Sequence, residues 1–162
     1  KYIGEIGLDF TTNDRNNRSI QDHIFSHIVH SCNEEGGKIL TIHSRRAEKR
    51  VMEILEELSS CRVILHWYSG PKALMDEALK RGYYFSVNHQ MIQSVNGKKI
   101  VDSIPIERVL IESDAPFTKE LNKNYTIEFM EPIYQYLCDT RNLSEEELSV
   151  ILRNNFRDIL TK

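Results

Sequence analysis

Apolar residues fall along this chain in two rhythms. Short runs rich in β-branched and aromatic side chains, at 2–6, 39–43, 63–66, 84–87 and 109–112, predict strands. Between them the apolar positions recur at helical spacing. Over 19–35 they put Ile20, Ile24, Ile28 and Val29 on one side, and Gly36-Gly37 ends the helix. Over 47–59 they put Val51, Ile54, Leu55 and Leu58 on one face, and 71–81 opens on Pro71 and stops at Gly82. Two more helices are expected over 126–139 and 144–160, the second with Ser144 and Glu147 at capping-box spacing. The stretch 89–99 reads as irregular, with Asn96-Gly97 marking a turn.

Strand and helix alternating five times over is the mark of parallel βαβ units, and the fold class is α/β. The strands stay apolar until their last residues, as strands covered on both faces do. What ends them is chemistry: Glu5 on the first, His43 on the second, His66 on the third and Asp114 just past the last. In a parallel α/β architecture the C-terminal strand ends converge on one face. Two imidazoles and two carboxylates from four strands therefore meet there, a ligand set suited to zinc, manganese or a similar divalent ion. Such an ion brings the pKa of a bound water toward neutrality, and a second ion nearby clamps the leaving oxygen of a phosphodiester. Each residue alone has a plainer reading. A lone His after an apolar run is usually structural, and Asp114 could simply start the turn before Pro116. Four of them at four strand ends outweigh those readings.

Composition narrows the class further. The 162 residues, 40% of them hydrophobic, are enough for a real core. Lys+Arg 21 against Asp+Glu 24 leaves a net charge of -3, which argues against gripping nucleic acid by bulk electrostatics but not against metal-assisted contact with phosphates. Cys32, Cys61 and Cys138 are too few and too scattered for a disulfide framework or a thiolate zinc site, and they fit a reducing cytoplasm. No apolar run reaches the roughly 18 residues a membrane span needs.

Four motifs now carry a resemblance. GEIGLDF at 4–10, IHSRRA at 42–47, ILHWYSG at 64–70 and IESDAPF at 111–117 resemble, in order and spacing, the successive signatures of the TatD family of metal-dependent deoxyribonucleases. Asn154-Asn155-Phe156 is similar to the family's C-terminal ending. The resemblance implies a (β/α)8 TIM-type barrel, a centre of two divalent ions (Zn, Mg or Mn), and cleavage of DNA phosphodiesters. By that match Glu5 bridges the ions, His43 and His66 complete one site, and Asp114 belongs to the other, with Glu5 and Asp114 as the catalytic carboxylates. Family members carry a His-x-His pair on the first barrel strand, and no such pair occurs in this chain. A complete barrel takes about 250 residues. The expectation is that this chain carries about the last five βα units of one hydrolase barrel, with the first three absent. The partners implied are DNA and, for the outstanding units, an N-terminal segment or another protein.

Around the ligands stand candidate substrate contacts. Arg45 can reach a phosphate bidentately, Asp9 orients substrate or a ligand, and Trp67 can stack on a base. The plainer readings are helix-start solvation for Arg45, a loop cap for Asp9 and a packed ring for Trp67. His23, His27 and His30 read as a solvated helix flank, and Asn88 and His89 line the strand ends without being expected as ligands. Two other functions keep the same residues: a metal-dependent amide or ester hydrolase such as an aminoacyl-tRNA deacylase, and a non-catalytic barrel subunit. The HWYSG and SVN stretches also resemble TatD-like proteins of bacterial anti-phage defence.

Overall fold

The computed structural model describes residues 1–118 and 127–161. All five expected strands form: β1 (Tyr2–Gly7), β2 (Ile39–His43), β3 (Arg62–His66), β4 (Tyr84–Val87) and β5 (Val109–Ile111). They follow chain order and run parallel wherever their register is defined. The helices are α1 (Arg15–Glu35), α2 (Glu48–Ile54), α3 (Lys72–Lys80), α4 (Val95–Ser103), α5 (Glu131–Arg141) and α6 (Glu145–Thr161). Among the described residues no helix is long and apolar enough to cross a membrane. The expected start of α5 at Thr126 lies outside the described residues.

The chain divides into two compact units, Lys1–Tyr84 and Phe85–Lys162. In the first, β1, β2 and β3 lie side by side with α1, α2 and α3 around them. Its core is built from Leu40, Ile42, Val63, Leu65, Phe25 and Val51, all buried. Helix α1 begins four residues before the apolar pattern does, because Asp14 caps it: its carboxylate accepts from Asn16 N–H at 2.9 Å and Asn17 N–H at 3.3 Å. The buried stripe of α1 is Phe25, Val29 and Cys32: of the side read from the sequence Val29 is buried and Ile28 half-buried, while Ile20 and Ile24 are 50% and 51% exposed. A helix carrying apolar residues over more than one face leaves the choice to packing. The three histidines of α1 are exposed, as a solvated flank should be.

β1 departs from the expectation of burial on both faces. Tyr2 is 63% exposed and only half of the strand is even partly covered. Its pairing with β2 is also irregular. Ile3 pairs with Leu40 and Ile6 with Ile42, so three steps along β1 match two along β2. The extra residue is a β-bulge between Ile3 and Ile6, a device that bends a strand and re-aims a side chain. Glu5 sits in it.

In the second unit β4 and β5 pair from Phe85 with Val109 to Val87 with Ile111. Buried Val101, Ile104, Ile133, Leu137, Leu148 and Ile159 form its core. Asn155 is 5% exposed and its Nδ2 donates to the carbonyls of Ile106 at 2.7 Å and Val109 at 2.8 Å, fastening α6 to the start of β5. Arg141 closes the end of α4 by donating from Nη2 to the Val101 and Ile104 carbonyls, both at 2.9 Å. The capping box forms as expected: Glu147 N–H donates to Ser144 Oγ at 3.2 Å and Ser144 N–H to Glu147 Oε2 at 2.8 Å.

The reading of 89–99 as irregular needs correction. Met91–Gln93 is a short 3-10 turn, and Asn96-Gly97 lies inside α4, whose Ser94 cap accepts from Gly97 N–H at 3.0 Å. Gly97 is glycine for room rather than for a turn: a Cβ there would lie 2.8 Å from the Met91 carbonyl carbon and closer still to its oxygen.

Candidate metal centre

The first unit brings three of the four expected ligands together. Glu5, His43 and His66 each offer one ligand atom, and these atoms all lie within 4.8 Å of one another. Glu5 Oε1 is the common point, 2.8 Å from His43 Nδ1 and 3.8 Å from His66 Nε2. The two imidazole rings lie 6.2 Å apart at 30°. His66 is 7% exposed, while His43 and Glu5 face outward more openly.

Each side chain arrives there for a local reason. His43 and His66 are the last residues of β2 and β3, so the parallel register sets them side by side at one end of the sheet. The bulge in β1 delivers Glu5. Gly7, paired with His43, permits the close approach of the two strands: its φ is 145°, and a Cβ there would lie 2.8 Å from both the N and the carbonyl C of His43. Leu8 N–H then donates to the His43 carbonyl at 3.0 Å, and Phe10 N–H to the Arg45 carbonyl at 2.9 Å. The loop after β1 therefore runs along the end of β2.

Two neutral imidazoles and a carboxylate, with donor atoms this close, fit a divalent cation. Glu5 is exposed and could be satisfied by water and His43 alone, so the fit to a cation rests on the closeness of all three ligand atoms.

Asp9 stands beside His43, with Oδ2 3.5 Å from Nε2. Burial works to raise its pKa, and the Thr11 hydroxyl and N–H together with the facing His43 overcome that and hold it below the ordinary carboxylate range. Arg45 is exposed at the mouth of the loop after β2. Trp67 is half-buried with a φ of 39°, a backbone region unusual for a bulky residue, and its ring meets His66 edge-on at 6.5 Å and 83°. Its neighbour Tyr68 is the packed ring of that loop, 1% exposed, with its hydroxyl donating to the Pro71 carbonyl at 2.7 Å.

Asp114 stands in the second unit, past β5, and is not among the three clustered ligands. It is half-buried at φ 50°, and its carbonyl accepts from Phe117 N–H at 2.8 Å and Thr118 N–H at 3.3 Å. The turn expected at Pro116 is therefore real. Two residues before Asp114 is a carboxylate that sequence reasoning passed over. Glu112 accepts from the Ser86 hydroxyl in a very short hydrogen bond and from Asn88 Nδ2 at 3.2 Å. Asn88 Oδ1 in turn accepts from Met91 N–H at 3.2 Å. Asn88 and Ser86 are buried, so this polar cluster ties the end of β4 to that of β5. The polar Ser86 within a fully buried strand was its one signal in the sequence. Thr11 and Gln21, which brace Asp9, gave none.

A model of the family described as TatD related DNase matches residues 1–161. The chain belongs to that family. It is 24% identical over 166 residues to human deoxyribonuclease TATDN3, covering 99% of this chain and 60% of that protein. It is 28% identical over 160 residues to the uncharacterized metal-dependent hydrolase YabD of Bacillus subtilis, covering 94% of this chain and 62% of that one. The crystal structure of YjjV, a TatD homolog from Escherichia coli, superposes with a TM-score of 0.81 at 20% identity, over 96% of this chain and 62% of that chain. A TatD family hydrolase from Entamoeba histolytica gives 0.77 at 20%, over 98% and 62%. These neighbours share the fold, and the parallel β/α units of this TatD family chain are those of a (β/α)8 barrel. The chain spans about two-fifths to three-fifths of the length of the relatives it matches.

Proposed function

We propose that this chain carries the metal-holding part of a deoxyribonuclease that cleaves DNA phosphodiesters with two divalent ions. The observation that carries the reading is the convergence of Glu5, His43 and His66 from three successive strands within 4.8 Å. The family and the names of its relatives support the reaction class. A divalent ion held there supplies Lewis-acid activation of water and of a phosphoryl oxygen. On this reading Glu5, with two carboxylate oxygens, would be shared between two ions, and Asp114 would serve the second.

The remaining residues bind and orient. The Arg45 guanidinium, on an exposed residue two positions past His43, is suited to a phosphate oxygen pair. The exposed part of Trp67 offers a face for a base, a contact worth about 1–3 kcal/mol. Asp9 borders the same rim on the β1 side. Its three free thiols suit a reducing compartment, which favours the cytoplasm. The antiviral setting rests on the HWYSG and SVN stretches alone.

The test is metal-dependent cleavage of labelled DNA by the protein that contains this chain. Glu5→Gln and His66→Ala are each expected to remove it, by a factor of at least about 100. Full activity in either variant would sink the assignment. RNA, simple phosphoesters, amides and aminoacyl-tRNA run beside DNA under one metal separate the deoxyribonuclease from an acyl hydrolase, and no turnover of any of them points to a non-catalytic subunit.

A further inference from the structure

The loop after β1 is braced more heavily than a surface loop requires. Asp9 Oδ1 accepts two hydrogen bonds from Thr11, one from its N–H at 2.8 Å and one from its hydroxyl at 2.5 Å. Gln21 of α1 grips the main chain of the same residue: its Oε1 accepts from Asp9 N–H at 2.7 Å, and its Nε2 donates to the Asp9 carbonyl at 3.2 Å. Arg18 donates to the carbonyls of Phe10 at 2.9 Å and Thr12 at 2.8 Å. With Oδ1 occupied twice, the oxygen turned to the site is Oδ2, 3.5 Å from His43 Nε2. The other ring nitrogen, Nδ1, lies 2.8 Å from Glu5 Oε1, where the three clustered side chains converge.

A neutral imidazole has one N–H and one lone pair, and a metal ligand must present the lone pair. For His43 to present Nδ1 to the centre, its proton must reside on Nε2, and the acceptor that faces Nε2 is Asp9. We propose that Asp9 is a positioning residue that holds the His43 ring with its proton on Nε2 and its Nδ1 lone pair toward the divalent ion, and that Thr11 and Gln21 hold Asp9 in place for it. This rests on the metal reading of Glu5, His43 and His66. It narrows the part of Asp9 from contacting substrate to orienting a ligand. An outer carboxylate or carbonyl on the free N–H of a ligating histidine fixes ring orientation and raises ligand basicity.

Asp9→Asn is the informative change. The two Thr11 donors hold the amide oxygen, so the amide NH2 turns to His43 Nε2 and demands a lone pair there. The ring proton then moves to Nδ1 and blocks coordination. Zinc binding by the chain is measured by calorimetry in the wild type and in Asp9→Asn, and the His43 tautomer of the zinc-loaded wild type by nitrogen–proton correlation NMR. The expectation is an affinity loss of about 10–100-fold in the variant and an Nε2–H tautomer in the wild type. Equal affinity within about twofold, or coordination through Nε2 with the proton on Nδ1, overturns the proposal while leaving the metal centre standing. Because the tautomer is read on the wild type, a variant that fails to fold does not protect the idea. A wild-type chain that binds no zinc overturns the metal reading and this inference together, and is told apart by that silence.

Discussion

Replacing Gly7 by alanine tests whether the close approach of β1 and β2 builds the site. The new Cβ would stand 2.8 Å from the N and the carbonyl carbon of His43. Carbon atoms in contact keep about 3.5 Å, and the His43 carbonyl oxygen stands closer still to the new Cβ, so the strands must separate by more than about 0.7 Å at this point. That movement strains or breaks the Leu8 N–H to His43 carbonyl hydrogen bond, now 3.0 Å, at a cost of about 1 kcal/mol. Alanine at a φ of 145° adds about 1–3 kcal/mol of backbone strain. The expected destabilisation is about 2–4 kcal/mol, read as a lower urea midpoint at unchanged slope. The functional consequence is separate and sharper. The displaced residue is His43 itself, so its Nδ1 moves relative to Glu5 Oε1 by a distance comparable to the tolerance of a metal site, and zinc affinity should fall at least about tenfold. A Gly7→Ala chain with stability within about 0.5 kcal/mol of wild type and undiminished zinc affinity would refute this account of why glycine stands there.

Two further outcomes follow from the packing. Asn155→Ala takes the Asn155 donor from the buried Val109 carbonyl and one of two donors from the Ile106 carbonyl, which also accepts from Val109 N–H, and should cost about 1–3 kcal/mol by urea denaturation; a loss under about 0.5 kcal/mol would remove Asn155 from its anchoring role. Asp22 is held below the ordinary carboxylate range mainly by its hydrogen-bonded fork with Arg50, whose Nε and Nη2 lie 2.5 and 2.9 Å from the two carboxylate oxygens. A depressed folded pKa contributes stability above the unfolded value of about 3.9 and loses it as pH falls through the folded one. With Arg50 partly exposed and solvent screening the pair, Asp22→Asn should cost about 0.5–1 kcal/mol at pH about 6 and nothing near pH about 2. A difference that does not shrink on acidification argues that the fork carries no charge-dependent stability.

How much of this was readable before folding differs from element to element. The five strands and their parallel class were legible because a short β-branched run between helical segments has few alternatives. The capping box of α6 was legible for the same reason: its partners are three residues apart. So were the ligand types, since an imidazole or carboxylate at the end of an apolar run stands out against its neighbours. What failed were two local readings, of a helix face and of a turn, that were settled by what lies across space. Ile20 and Ile24 suggested the inner face of α1, and packing chose Phe25, Val29 and Cys32. Asn96-Gly97 suggested a turn, and the nearby Met91 carbonyl made the glycine a spacer within α4.

The sequence by itself determined which groups could do chemistry and at which strand ends they fall, because residue type and periodicity are local properties. Only the tertiary structure decided which atoms face one another. The bulge that aims Glu5, the ring nitrogen of His43 that meets it, and the grip of Gln21 on Asp9 depend on register and on contacts between segments 12 or more residues apart. Those contacts form only when parallel strands align, and no pattern along one strand records the alignment of its neighbour.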